Sequence, residues 1–411
     1  MTEEPVSEDF PRFPFSFRGD RLAPELAEMA AHRPVRRVIT NTGTPAWLVA
    51  GHEEATAVLR DRRFSLSLTS DPTTPRQDDL LPPPPVTDTL NYFQRAGMLS
   101  ELHRGLGPNQ QYLTAGTVAG ITRQVLGPFL AGEQPGDLVS GFIVPVSRAL
   151  TFRLLGLTDD PRLDHEVLLG IFRTGPNCLE HVPECWQTGR DYIYGQLPRL
   201  RREKSGMLGR MVGMADASGV LTEEELADLF LFLVISQYGN PATFLGAATV
   251  ALMRHPDITR RLRAEPEMMP QAVEELLRWT AFLGDGLPRI AREDVTVGGV
   301  LVRRGELVLV STDGANHDPR VFPDPQRIDI DRRDNPHLRF SHGRHRCPGR
   351  TLAPMQAAAT LRTLLEETGE LSLAVSPDDI EWHPYHAITM PRALPVRWRT
   401  AESSPAAGAV G

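Results

Sequence analysis

The chain has 411 residues, enough for one large domain or for two or three ordinary ones, and its 41% apolar content can supply a sizeable core. A net charge of −8 argues against nucleic acid or an anionic membrane as the main partner. Three cysteines, Cys178, Cys185 and Cys347, are too few for a disulfide framework and fit a reducing cytoplasm.

The first thirty residues carry acids and prolines and lack the apolar core of a signal peptide. Residues 1–10 and the 401–411 tail are expected to be flexible. Val35 to Ala50 places β-branched residues around a Gly-Thr-Pro break and predicts strand, turn and strand. His52 to Phe64 has helical spacing, with Ala55, Val58 and Leu59 on one face. Prolines dominate Asp71 to Val86, which predicts a long loop without helix or central strand. The helical pattern of Met98 to Thr114 is expected to break at Gly107-Pro108. Between Val118 and Arg210 a succession of helices is predicted, with breaks at 158–162, 175–183 and 201–205. In the middle break Cys178 and Cys185 flank His181, but three ligands without a fourth read better as packing than as a metal site.

Leu221 to Arg254 reads as one long helix, opened by Thr222 and Glu223 to Glu225 and closed by His255-Pro256. Its most apolar stretch, Leu226 to Ser236, falls short of the ~20 residues that span a bilayer, so no membrane partner is expected. Pro241 removes a backbone N–H and would leave the Gln237 carbonyl without its helical donor. A kink or widening is therefore expected there, with that carbonyl, Gln237 and Asn240 free to hold water or a polar substrate group. Glu275 and Arg278 lie three apart on one helix face. Val295 to Ser311 alternates around Gly298-Gly299 and Gly305, the pattern of a small sheet with hairpin turns.

Phe340 to Arg350, FSHGRHRCPGR, concentrates the chemistry. A thiolate becomes a metal ligand where a bound metal, nearby cations or backbone N–H groups stabilise its charge. Here Cys347 sits between Gly343 and Gly349, among cations, ahead of a helical pattern starting near Arg350. Glycine can fold close around a sulfur, and a helix N-terminus favours an anion. Read alone, Cys347 could instead be an ordinary buried thiol, or could join His342 and His345 in a zinc site. Phe340, Gly343, His345, Cys347 and Gly349, at their spacing, closely resemble the haem-binding loop of the cytochrome P450 family.

That resemblance extends over nearly the whole chain and implies the P450 fold, mainly α with a smaller β region, as a single domain over 1–411. It implies haem b (iron protoporphyrin IX) ligated by Cys347, with His103, Arg289 and His337 toward the propionates. Gly107 stands where a further propionate Arg is usual, so Arg104 is a candidate replacement. Glu275, Arg278 and Arg327 would form the family's structural triad. The region around 71–86 and a lid at 175–189 would lie over the substrate side, with Leu283 to Leu287, Tyr385, His386 and Ile388 also near the pocket. His317 departs from the Arg in the family's Ala-Asn-Arg-Asp-Pro.

The long helix would carry Ala-Gly-x-Asp/Glu-Thr beside the iron, but Ser236, Gln237, Tyr238, Gly239 and Asn240 occupy those positions. An acid and an alcohol ordinarily relay protons to iron-bound dioxygen, and neither is present. Ser236, Gln237, Gly239 and Asn240 are therefore the candidate catalytic positions. The resemblance implies a bacterial, cytoplasmic, monomeric enzyme oxidising a small secondary-metabolite or antibiotic intermediate. Electrons would come from a ferredoxin and ferredoxin reductase, or a flavodoxin, docking at Arg344, Arg346 and Arg350. Two alternatives stay open. One is an isomerase, dehydratase or group-transfer enzyme acting on a weak O–O or N–O bond without dioxygen, and the other a non-catalytic haem sensor.

Overall fold

The computed structural model describes residues 10–400 except 18, 176 and 282, so all but one residue of the chain ends expected to be flexible lie outside the described residues. A helix of 32 residues, Glu223–Arg254, runs through the largest apolar cluster and touches six other helices of nine residues or more. Its start is fixed by a capping box: the Thr222 hydroxyl accepts from the Glu225 N–H at 3.1 Å, and the Glu225 carboxylate accepts from the Thr222 N–H at 2.9 Å. By length and composition it could cross a membrane, but 72% of its most apolar window is buried inside the protein. Such all-round apolarity suits a helix enclosed by others.

The helix is assigned as one continuous element through Pro241. Its missing bond is replaced from outside: the Thr151 hydroxyl, on helix Val144–Leu155, reaches the Gln237 carbonyl at 3.0 Å. Two expectations need correction. Pro84–Thr87 forms one helical turn inside the proline-rich stretch, because proline fits the first turn, where no intrahelical donor is needed. The predicted break at 175–183 is also too long, since a single helix spans Cys178–Glu203 with Pro183 and Pro198 inside it.

Five short strands make the main sheet, in the order Val35–Ile39, Pro45–Val49, Leu307–Val310, Leu287–Ala291 and Phe64–Ser65. Only the Pro45–Val49 to Leu307–Val310 pairing is parallel. The predicted hairpin forms from Val295–Val297 and Val300–Val302, turning on Gly298 and Gly299 at φ +54° and +79°. Positive φ at both turn residues is what a tight two-residue hairpin requires.

Glu275 and Arg278 form a fully buried ion pair at 2.7 Å. Arg278 also donates to the carbonyls of Asn316, Pro325 and Arg327 at 3.1, 2.8 and 3.0 Å, while Glu275 accepts from the Asp329 N–H at 2.9 Å. The third charged member is Arg332, whose Nε donates to Glu275 at 3.1 Å; Arg327 contributes only its carbonyl and its side chain is exposed. His317 is buried, donates from Nδ1 to the Asp313 carbonyl at 2.9 Å, and is pushed down to about 3 by burial and the nearby Arg278. A neutral imidazole thus fills the place of the family's Arg. Replacing Arg278 by Met should leave the Glu275 charge buried and cost about 3–5 kcal/mol of stability, read as a lower denaturation midpoint. An unchanged midpoint would show that the pair does not hold this region.

Candidate active site

The loop before the C-terminal helix is tied on itself and on its neighbour. The Cys347 N–H donates to the Phe340 carbonyl at 2.8 Å, closing the turn that presents the thiol. Gly343 has φ +70°, and a Cβ there would meet the Leu59 carbonyl oxygen at 2.5 Å, so glycine lets the loop seat against helix His52–Arg60. Burial pushes the Cys347 thiol up, opposed by the Gly349 N–H and by Arg350. The α-helix that follows is Leu352–Glu367, later than Arg350, and a single 3-10 turn, Pro348–Arg350, separates it from the sulfur. The positive end nearest Cys347 therefore belongs to that turn.

Across from the loop, Ser236, Gln237, Asn240 and Pro241 are partly accessible on a helix whose neighbouring positions are largely buried. Gln237 comes close to the loop: a Cβ on Gly349 would lie 3.6 Å from the Cys347 Sγ and 3.8 Å from the Gln237 Nε2. The sulfur and this stripe of the helix therefore face each other. Gly239 does not line the stripe. It is buried, and a Cβ there would meet the Phe172 ring at 2.5 Å and Ile388 at 3.4 Å. An aromatic ring thus takes the space into which an acid would project. The Asn240 amide donates back to the Ser236 carbonyl at 3.3 Å.

Phe172 is held by the backbone. The Ala387 N–H donates to its carbonyl at 2.8 Å, the Thr174 N–H donates to the Tyr385 carbonyl at 2.7 Å, and Arg173 bridges His386. Leu283 bridges Ile388 nearby. Asp78, from the proline-rich stretch, accepts from the Gly175 N–H at 3.2 Å and from Asn41 at 2.6 Å. Residues 172–175 are thereby held between Asp78 and the chain at 385–387.

A buried cation tests whether haem suits this site. Arg289 is 3% exposed, and among the described residues its guanidinium donates only to the Pro288 carbonyl, at 2.7 Å. Burial pulls it down to about 10, and burial followed by the charge of Arg289 pulls His345 down to about 4. A carboxylate beside both would relieve this, which is the chemistry of a haem propionate. With a thiol and an accessible helix stripe facing each other nearby, the donor set fits the group.

Other candidates are placed differently. His103 is exposed on helix Leu99–Leu106, which packs against the Pro348–Arg350 turn. Arg104 is spent on the buried Glu101, which also accepts from the Tyr112 hydroxyl at 2.8 Å. His337 has both ring nitrogens engaged, Nε2 with Glu274 at 2.9 Å and Nδ1 with the Arg339 N–H at 3.3 Å, so it has no donor left for a propionate. The Phe340 ring packs on His337 with centroids 6.0 Å apart. Among the described residues no three His, Cys, Asp or Glu converge on a metal position, which leaves both zinc readings without geometric support. Sequence reasoning missed Phe172 and Thr151; each acts by tertiary contact and neither lies in a motif.

Comparison with known proteins agrees with this geometry. A family profile described as Cytochrome P450 matches residues 203–391. Mycocyclosin synthase of Mycobacterium tuberculosis is 34% identical over 395 residues, covering 94% of this chain and 98% of the relative. Mycinamicin IV hydroxylase/epoxidase of Micromonospora griseorubida is 32% identical over 400 residues, covering 94% and 98%. A crystal structure of HinD with NMFT and NO superposes with a TM-score of 0.81 at 32% identity, covering 95% of this chain and all of that one.

Replacing Arg289 by Leu should reduce the haem retained through gel filtration, measured as haem per protein, whereas Arg289→Lys should keep part of it. Full retention by the Leu variant would remove Arg289 from the cofactor site.

Proposed function

Because the chain belongs to the cytochrome P450 family, we propose that it oxidises a small natural-product intermediate with dioxygen and two electrons from a ferredoxin, without an acid on its central helix to pass protons. Its cofactor is haem b, which supplies the metal centre for dioxygen chemistry. We assign Cys347 as the residue that would ligate the haem iron, because a thiolate ligand would supply electron density to the metal and so favour heterolytic bond cleavage. Arg289 and His345 would hold the propionates, and His103, beside the Pro348–Arg350 turn, is the remaining candidate for that work.

The observation that carries the proton argument is Gly239 under the Phe172 ring. No side chain at that position can shuttle a proton, and the next residue, Asn240, has no titratable group. Asn240 can orient a water through its Oδ1 while its Nδ2 donates to Ser236. Protons then reach the pocket through ordered water or through hydroxyls of the substrate, with Ser236 and Gln237 the nearest other polar side chains on the accessible stripe.

The substrate class follows the printed names of the relatives, a mycocyclosin synthase and a mycinamicin hydroxylase/epoxidase, which make natural-product oxidation the natural reading. Those names also set the sensor alternative aside. Arg344, Arg346 and Arg350 are exposed on the ligand loop and suit an acidic donor, a ferredoxin or a flavodoxin, by electrostatic steering. We place the protein, as a monomer, in the bacterial cytoplasm, where its three free thiols suit a reducing compartment. The missing acid and alcohol also favour a second reading, a rearrangement of a substrate carrying its own weak O–O or N–O bond.

Asn240 separates the two. If it orients the proton-bearing water, Asn240→Leu should lower product formed per NADPH by about tenfold, less than the roughly 10²-fold or more of a lost general acid because Asn240 carries no proton itself, while Asn240→Thr should preserve or raise it. Equal yields from wild type and both variants would favour the rearrangement.

A further inference from the structure

We propose that Thr151 is a positioning residue that lets the central helix run on as one element through Pro241, and so fixes the helix stripe facing Cys347. In an α-helix the carbonyl of residue 237 takes the N–H of residue 241, and proline has none. The Gln237 carbonyl lies inside a helix that is otherwise packed on many sides, where a carbonyl without a donor is costly. Thr151 comes from helix Val144–Leu155, is 1% exposed, and points its hydroxyl at that carbonyl at 3.0 Å.

The hydroxyl has one proton and two acceptors in reach, since the Ser147 carbonyl is 2.7 Å away. Need decides between them. The Ser147 carbonyl lies within a regular helix and has the Thr151 backbone N–H as its ladder donor, whereas the Gln237 carbonyl has lost its own. The proton is therefore worth more to Gln237, and the two helices are pinned at this point.

The pin has a functional consequence. Gln237 is one residue from Ser236 and three from Asn240, and all three side chains belong to the partly accessible stripe opposite the thiol. A freed carbonyl would offer a water site there, and the helix could widen around it. With Thr151 bonded, that acceptor is withdrawn and the polar groups left to order water are the side chains of Ser236, Gln237 and Asn240. Pro241 and Thr151 thus act as a pair, one creating the vacancy in the backbone ladder and the other filling it from a different helix.

A double-mutant cycle on the full-length, haem-loaded protein tests this. Thr151→Val keeps the branched shape and removes the donor, Thr151→Ser keeps the hydroxyl, and Pro241→Ala restores the backbone N–H. Thermal midpoints and the ferric absorption spectrum, which reports the surroundings of the metal, are read for each. The pairing predicts that Thr151→Val lowers the midpoint by about 2 °C or more and shifts the ferric spectrum, that Thr151→Ser restores both, and that Thr151→Val changes neither in the Pro241→Ala background. An equal loss in both backgrounds would assign the hydroxyl to Ser147 and overturn the proposal, as would no loss in the Pro241 background. Neither readout depends on which reaction is catalysed, so a failure here is distinct from a failure of the proposed function.

Discussion

The buried pair of Glu275 and Arg278 is the interaction on which the chemical end of the molecule depends. Two opposite charges are withdrawn from water at 2.7 Å, and their remaining hydrogen-bonding capacity is spent on the chain from Asn316 to Arg332. That chain has little regular structure of its own and leads directly into the ligand loop. A buried pair with satisfied partners gives geometry more than net stability, because desolvation offsets much of the attraction. What it secures here is where Phe340 begins, hence where the Phe340 carbonyl receives the Cys347 N–H and where the sulfur points. The Arg339–Asp313 pair, also buried, repeats the device one step closer to the loop.

On the opposite side the constraint is steric. Between its two ends the central helix is enclosed along most of its length, and it is partly accessible at Ser236, Gln237, Asn240 and Pro241 and one turn earlier at Phe232. Gly239, between them in sequence, is closed off by Phe172, whose segment is held by backbone hydrogen bonds with Tyr385 and Ala387. The missing acid is therefore part of a packing arrangement: a carboxylate at 239 would have to displace an aromatic ring tied to two other segments. Pro241 and Thr151 make a similar exchange, in which a local loss on one helix is made good by another.

The most legible parts of the sequence were those whose signals are local. The ligand loop announces itself through glycines at fixed distances from one thiol, and the long helix through Thr222 with Glu225 at one end and His255-Pro256 at the other. The strand pair and the Gly298-Gly299 hairpin follow from alternation and turn chemistry. What escaped was set by distant partners. Arg332 replaces Arg327 on Glu275 because the irregular chain curls back there, and no periodicity encodes that curl. His337 pairs with Glu274, and Arg104 with Glu101, through side chains that no motif places beside them. The Gln237 carbonyl reads as freed by Pro241 until Thr151, ninety positions before that proline and in another helix, is seen to reach it. The break expected at 175–183 was overdrawn because Pro183 lies inside a helix that accommodates it.

The account rests on dioxygen chemistry at a thiolate-ligated haem whose central helix offers no titratable proton donor at positions 239 and 240. The measurement that tests it most directly is the stoichiometry of dioxygen, NADPH and product with the haem-loaded protein, a surrogate ferredoxin and reductase, and a substrate chosen by its shift of the ferric spectrum. The account predicts one dioxygen and one NADPH consumed for each product formed, and no product under anaerobic conditions. Product formed anaerobically without NADPH would contradict it and identify an enzyme that rearranges a substrate already carrying its own oxidant.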